Sequence, residues 1–153
     1  MNIVLFCTEA FGGRGGIAAV NRDLCRVLTA PPLSARITAL PRIEPIDPLT
    51  DVPERVEFRT DVAGSVLSYT TRAARALLAI RNDEVEVVLC THINLLPLAY
   101  AAARWHGVPI LLLVHGIEAW SPPDRWAVRV LASEVDAVTA VSRHTLEQFR
   151  KWS

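Results

Sequence analysis

The chain has 153 residues, 51% of them apolar, and equal numbers of basic and acidic side chains, so its formal charge is zero. That length suits one domain with a hydrophobic core, and the composition excludes a disordered or fibrous chain. The charges are interspersed, which excludes the basic stripe that nucleic-acid binding requires.

Lys151 is the sole lysine among sixteen basic residues, a usage that fits a GC-rich bacterial genome. Cys7, Cys25 and Cys90 are widely spaced, match no metal motif, and read as reduced, buried thiols. The apolar N-terminus lacks a basic leader region and meets Glu9 early, so it is not read as a signal peptide.

Asn2–Cys7 is predicted as the first strand. Four of the seven glycines follow within five residues, Gly12, Gly13, Gly15 and Gly16, around Arg14. A glycine-rich link between strand and helix lets backbone N–H groups approach an anion at the positive end of the helix dipole. The helix after it is predicted to bury Ile17, Val20, Leu24, Val27 and Leu28. Residues 35–40 form the second strand. Residues 41–55, with prolines at 41, 45, 48 and 53, form a long semi-rigid loop.

A third strand is predicted at 56–59, and an amphipathic helix at 66–80 with Leu67, Ala74, Leu77 and Leu78 inward. Arg72, Arg75 and Arg81 on that helix give either a solvated face or a contact with anionic lipid. A fourth strand spans 86–91 and a helix 95–106, which Gly107 ends before a fifth strand at 109–114. This most apolar stretch is interrupted by Pro97, Arg104, His106 and Gly107, so it is not read as a membrane span. Ser121, ahead of Pro122 and Pro123, is predicted to cap the next helix. A sixth strand at 136–141 leads to Ser142, the predicted cap of the last helix.

Alternating strands and helices specify an α/β fold, a Rossmann-like doubly wound parallel sheet with helices on both faces, as one domain over 1–153. Right-handed crossovers bring the loops after strands one, four, five and six to one carboxyl edge. That edge then collects the glycine loop, His92 and Asn94, His115, Glu118 and Trp120, and Ser142 and Arg143. His106 and His144 are read as surface residues. Glu118 can cap backbone N–H groups or touch ligand, and Trp120 can stack on a sugar or pack in the core. His92, His115 and Glu118 form no compact metal motif, and no metal or other cofactor is expected.

No Gly-Lys-Ser/Thr follows the glycines, which excludes a P-loop. Gly13, Gly15 and Ala18 satisfy a loose dinucleotide spacing, but residues 8–12 separate it from the strand. The second strand ends at Leu40-Pro41-Arg42, where a ribose-binding acid would belong.

Three segments resemble the N-terminal half of a family-4-type glycosyltransferase with the GT-B fold. They are the glycine loop and first helix (11–24, including Asn21), the core from Thr91-His92-Ile93-Asn94 to the histidine-glycine turn at His115-Gly116, and 135–143, Val-Asp-Ala-Val-Thr-Ala-Val-Ser-Arg. The resemblance implies sugar transfer from a nucleotide-sugar donor, with retention, in a cleft between two domains. It places Gly12, Gly13, Gly15 and Gly16 at the donor diphosphate and His115, as the catalytic residue, beside the donor sugar. A glycan or lipid-linked acceptor would meet Arg14, Asn21, His92, Asn94, Glu118, Trp120, Ser142 and Arg143. The family's two glutamates separated by seven residues belong to the second, donor-binding domain, and no glutamate pair here has that spacing. The chain is therefore expected to need that C-terminal domain as its partner and to be inactive alone. Its expected location is the cytoplasm, with peripheral contact at the inner membrane face. A nucleotide-sugar epimerase or hydrolase of the same fold, and a non-catalytic nucleotide-binding or interaction module, are the alternatives.

Overall fold

Successive side chains of a strand point to opposite faces, and from Ile3 to Cys7 every residue of β1 (Asn2–Cys7) is buried. Such a strand needs apolar cover on both sides, as the centre of a parallel sheet provides. A computed structural model of the chain describes residues 1–81 and 84–153. Beyond β1 its strands are β2 (Arg36–Pro41), β3 (Val56–Phe58), β4 (Val87–Cys90), β5 (Ile110–Val114) and β6 (Ala137–Ala140). Among the described residues they form one sheet, parallel throughout, in the order β3-β2-β1-β4-β5-β6.

The helices are α1 (Gly15–Thr29), α2 (Val66–Ala79), α3 (Leu96–His106), α4 (Trp126–Ala132) and α5 (Arg143–Arg150). On one face Ile3, Leu5 and Cys7 pack with Phe11, Cys25 and Ile37 under α1. On the other, Val4 and Phe6 pack with Tyr69, Leu77, Leu96 and Leu112 under α2 and α3. Each fully buried large side chain of this kind contributes about 1.5–3 kcal/mol. Cys7, Cys25 and Cys90 are buried and free, and burial pushes the Cys25 and Cys90 thiols up to about 12, so they are protonated at neutral pH.

Several expectations about helix faces and caps are corrected. Helix α1 turns Ala18, Asn21 and Cys25 to the sheet, while Val27 is exposed. In α2 the buried line is Tyr69, Ala73, Ala76 and Leu77, and both Leu67 and Leu78 face solvent. Small residues mark where each helix approaches the sheet most closely, and bulk apolarity misplaces that line. His106, expected at the surface, is buried with neither ring nitrogen hydrogen-bonded. Ser121 caps nothing, because α4 starts at Trp126 after Arg125 in extended backbone. A residue preceding proline is pushed out of helical geometry, so Pro122 before Pro123 delays the helix. The other two punctuation signals hold. Gly107 ends α3 in the left-handed region at φ 67°, and Ser142 accepts a hydrogen bond from the Thr145 N–H. No helix among the described residues is long and apolar enough to cross a membrane.

From β1 the sheet grows one way through β2 and β3 and the other way through β4, β5 and β6. The crevice outside the carboxyl ends of β1 and β4 is therefore the topological switch point, where sheets of this kind bind ligands.

Candidate functional site

At the switch point β1 runs into the glycine loop, and its four glycines divide into two pairs. A Cβ on Gly12, which lies at φ +71°, would meet the Asp47 carbonyl oxygen and come within 2.7 Å of Pro45 Cβ. A Cβ on Gly13 would lie 2.9 Å from Glu9. These two are needed for packing within the protein. Around Gly15 and Gly16 a Cβ would meet nothing within 4 Å. Both belong to the first turn of α1, which has no side-chain cap and no acidic residue in that turn. The open pair thus presents the positive end of a four-turn helix to the crevice.

The loop is held from below and from the side. Arg22 donates from Nη1 to the carbonyls of Ala10 and Gly13, at 2.9 Å each. Asn21 is fully buried and donates to the Glu9 carbonyl at 2.7 Å, while its Oδ1 has no partner. From the side, the proline-rich segment folds over it: Ile46 and Asp47 N–H groups both donate to the Gly12 carbonyl at 3.0 Å. Arg14 pairs with Asp47 through two hydrogen bonds, and this pairing holds the Asp47 carboxyl below its ordinary range. Arg22 and Asp47 escaped the sequence reading, because an arginine on a helix and an acid in a loop carry no pattern.

Beside the loop a cavity of about 770 Å³ opens at the carboxyl edge. Thr8, Arg42, Tyr69, Thr70, His92, Asn94 and Arg125 supply its polar lining, and α2 and α3 supply apolar walls. Asn94 donates its N–H to His92 Nδ1 at 3.2 Å, so the imidazole closes the turn that leads into α3. Tyr69 donates its hydroxyl to the Leu40 carbonyl at 2.9 Å. Thr8 Oγ1 is buried without a partner. A second cavity of equal volume lies at the amino ends of the strands, around Asn2, Arg36 and Glu57, away from the switch point.

His115 follows β5 and is half-buried, with Nε2 enclosed and unpaired. Its pKa is lowered, since desolvation outweighs the Glu118 carboxylate and a hydrogen bond to the Thr91 backbone. His92 is lowered too, by burial and by His115 and Arg42, against the pull of Glu118. Both imidazoles are thus neutral at neutral pH, able to donate and accept without adding charge. Glu118 Oε1 accepts from the His115 and Gly116 N–H groups, each at 2.9 Å. Burial pushes that carboxyl up, but the N–H groups of Gly116, Glu118 and His115 prevail and hold it below its ordinary range. The carboxylate shapes the histidine-glycine turn from within.

The remaining sequence candidates sit farther along the edge. Trp120 is 43% exposed, donates to Thr145 Oγ1 at 3.3 Å, and meets the exposed His144 edge-on. Ser142 is committed to capping α5, and Arg143 is exposed in its first turn. The fold brings Thr8, His92 and Asn94 together in the cavity lining and sets His115 and Glu118 near enough to act on His92; none of Gly15, Gly16, His115 and Glu118 lines the cavity. Neither Asn21 nor Arg14 lines the cavity. Arg42 and Arg125, missed in the sequence, do line it. Among the described residues no group of His, Cys, Asp and Glu side chains is arranged to hold a metal ion.

No curated protein matches the chain. Residues 14–153, from the middle of the glycine loop to the last residue, match the family model described as Glycosyltransferase Family 4. The six-stranded parallel sheet is the Rossmann-like fold that the sequence resemblance implied, and the chain belongs to glycosyltransferase family 4.

Proposed function

We propose that this domain forms the acceptor-side half of a sugar-transfer cleft and that Gly15 and Gly16 receive the diphosphate of a nucleotide-sugar donor. The observation that carries this reading is the open, uncapped start of α1 after β1 at the switch point; Thr8 Oγ1 after β1 and His115 Nε2 after β5 are buried and unpaired on the same edge of the sheet. Breaking the bond from the anomeric carbon to the phosphate oxygen leaves negative charge on the departing nucleoside diphosphate. Fixed N–H groups at a helix start stabilise that charge without reorganising, often the largest catalytic contribution. Neutral His115 hydrogen-bonds the donor sugar, and an acceptor hydroxyl attacks from the cavity beside His92. Membership of the family favours retention of anomeric configuration. The cleft closes against a second α/β domain bearing the paired glutamates, so the 153-residue chain alone is expected to show negligible transfer.

Calorimetric titration with UDP, GDP and ADP tests the donor site. Binding of one of them by the full chain, lost in Gly16→Val with an unchanged unfolding midpoint, is the expected result. Absence of binding by all three, or unchanged affinity in Gly16→Val, overturns the assignment.

A further inference from the structure

The peptide groups of the glycine loop are sorted by direction. The carbonyls of Glu9, Ala10, Gly12 and Gly13 all accept hydrogen bonds from within the domain. Asn21 Nδ2 donates to that of Glu9 at 2.7 Å, and Arg22 Nη1 donates to those of Ala10 and Gly13 at 2.9 Å each. The Ile46 and Asp47 N–H groups donate to that of Gly12. The N–H groups that follow, those of Arg14, Gly15 and Gly16, donate to no group among the described residues.

A trans peptide is planar, with each N–H opposite the carbonyl before it. Drawing the Gly13 carbonyl to Arg22 therefore turns the Arg14 N–H the other way. That N–H then stands with those of Gly15 and Gly16 as a third donor in a row, the arrangement from which backbone anion sites are built. A carbonyl swung outward at this point would remove a donor and set partial negative charge against an anion. Glycine makes such a swing easy, since it tolerates either sign of φ, and Gly12 and Gly15 lie at +71° and +90°. The direction of the Gly13–Arg14 peptide is thus left open by the glycines and fixed by a side chain.

Arg22 is suited to fixing it. The residue is half-buried in the second turn of α1, and its one engaged nitrogen joins both ends of the Ala10–Gly13 turn. That turn is closed in addition by the Gly13 N–H, which donates to the Ala10 carbonyl at 3.1 Å. Whereas the Arg14 guanidinium is taken by Asp47, Arg22 meets no carboxylate among the described residues and spends its contacts on loop backbone. Its side chain does not line the cavity beside the loop.

We propose that Arg22 is a positioning residue for the donor diphosphate: by pinning the Ala10 and Gly13 carbonyls, it holds the Arg14 N–H outward as a third phosphate donor beside Gly15 and Gly16. The inference rests on the donor reading above and adds to it a residue that touches neither donor nor acceptor.

The full chain is titrated with UDP, GDP and ADP while its backbone amides are followed by NMR. In the native chain the Arg14, Gly15 and Gly16 resonances should move together on binding. In Arg22→Ala the affinity is expected to fall about tenfold, the size of one lost hydrogen bond to a charged group. At saturation the Gly15 and Gly16 resonances of that variant should still move while that of Arg14 stays. Guanidinium chloride at a non-denaturing concentration should restore both affinity and the Arg14 shift, and potassium chloride at the same ionic strength should not. Simple destabilisation would change the three amides together and would not respond to guanidinium. Arg22→Gln, too short to reach both carbonyls, is expected to show the same split and guards against a folding defect in Arg22→Ala.

Native affinity in both variants, or an Arg14 amide that shifts in them as it does in the native chain, overturns the inference. If Gly16→Val still abolishes binding in that case, the donor reading stands without Arg22. A native chain that binds none of the three nucleotides removes the donor reading, and the role of Arg22 with it.

Discussion

Arg14 and Asp47, thirty-three residues apart, form a two-point ion pair with Nε to Oδ2 at 2.8 Å and Nη2 to Oδ1 at 2.7 Å. The pair ties the centre of the glycine loop to the proline-rich segment after β2. It sits next to the Ile46 and Asp47 N–H groups that share the Gly12 carbonyl. Exposed pairs of this kind contribute little to global stability, but a bidentate geometry can fix the position of a loop. Asp47→Asn is therefore expected to leave the unfolding midpoint unchanged and to speed hydrogen exchange at the Ile46 and Asp47 amides. Unchanged exchange at those two amides would show that the backbone contacts hold the loop without the ion pair.

The division of the glycines predicts opposite responses to one added methyl group. Gly12→Ala places a Cβ against the Asp47 carbonyl at a left-handed φ and is expected to destabilise the chain by about 1–2 kcal/mol or more. Gly16→Ala enters open space within a helix and is expected to be neutral or stabilising by a few tenths of a kcal/mol. Urea unfolding of both variants checks this. Equal destabilisation by the two would erase the distinction between a packing pair and a ligand-facing pair.

His106 is buried at the end of α3 with both ring nitrogens unpaired, and desolvation lowers its pKa. His92 and His115 are lowered as well, each chiefly by burial. As pH falls below about 6.5, the ordinary histidine value, the unfolded chain takes up protons at these positions that the folded chain does not. Stability should then be full above that pH and decline below it. His106→Leu removes one such group and an unsatisfied polar ring. It is expected to add on the order of 1 kcal/mol at neutral pH and to shrink the loss between pH 7.5 and 5.5. A steeper acid loss in the variant would contradict this.

In a complete two-domain enzyme, His115→Ala is expected to reduce transfer sharply, by about a hundredfold or more if the ring contacts the transition state. The backbone of the turn is held by Glu118 through N–H groups that the substitution retains, so the fold should persist. Near-normal turnover would remove His115 from the site.

Glu118→Gln probes the same turn from the other side. It removes the charge while keeping an oxygen able to accept from the His115 and Gly116 N–H groups. The His92 and His115 pKa values should both fall further, because the carboxylate pulls both upward in the native protein. Titration of their ring protons by NMR reads this directly, and unmoved values would show the carboxylate to be electrostatically silent.

The order of elements was legible because its signals are local. Apolar runs such as 109–114 have too little polar alternation for a sheet exposed on one side, and Gly107 can end a helix in a conformation that other residues avoid. The same runs imply parallel strands, and parallel strands imply that the loops carrying the glycines, His92 and His115 share an edge. The inward face of α1 and α2 was legible only in part: Leu24, Leu28 and Leu77 pack inward, but Val27, Leu67 and Leu78 face solvent and the most buried positions include Ala18, Ala73 and Ala76. The roles of Asp47, Arg22, Arg42 and Arg125 were equally hidden. Each depends on which other segments the fold brings beside it.

By itself, then, the sequence determined the alternation of strands and helices, their parallel sheet, and the presence of a glycine loop at its carboxyl edge. These follow from periodicity and backbone freedom, which act over a few residues. Only the tertiary structure decided that Gly12 and Gly13 are packed while Gly15 and Gly16 stand open, that Glu118 braces a turn, and that Arg42 and Arg125 border the same cavity. Those outcomes arise from contacts between segments tens of residues apart, where packing and burial set what each side chain can do.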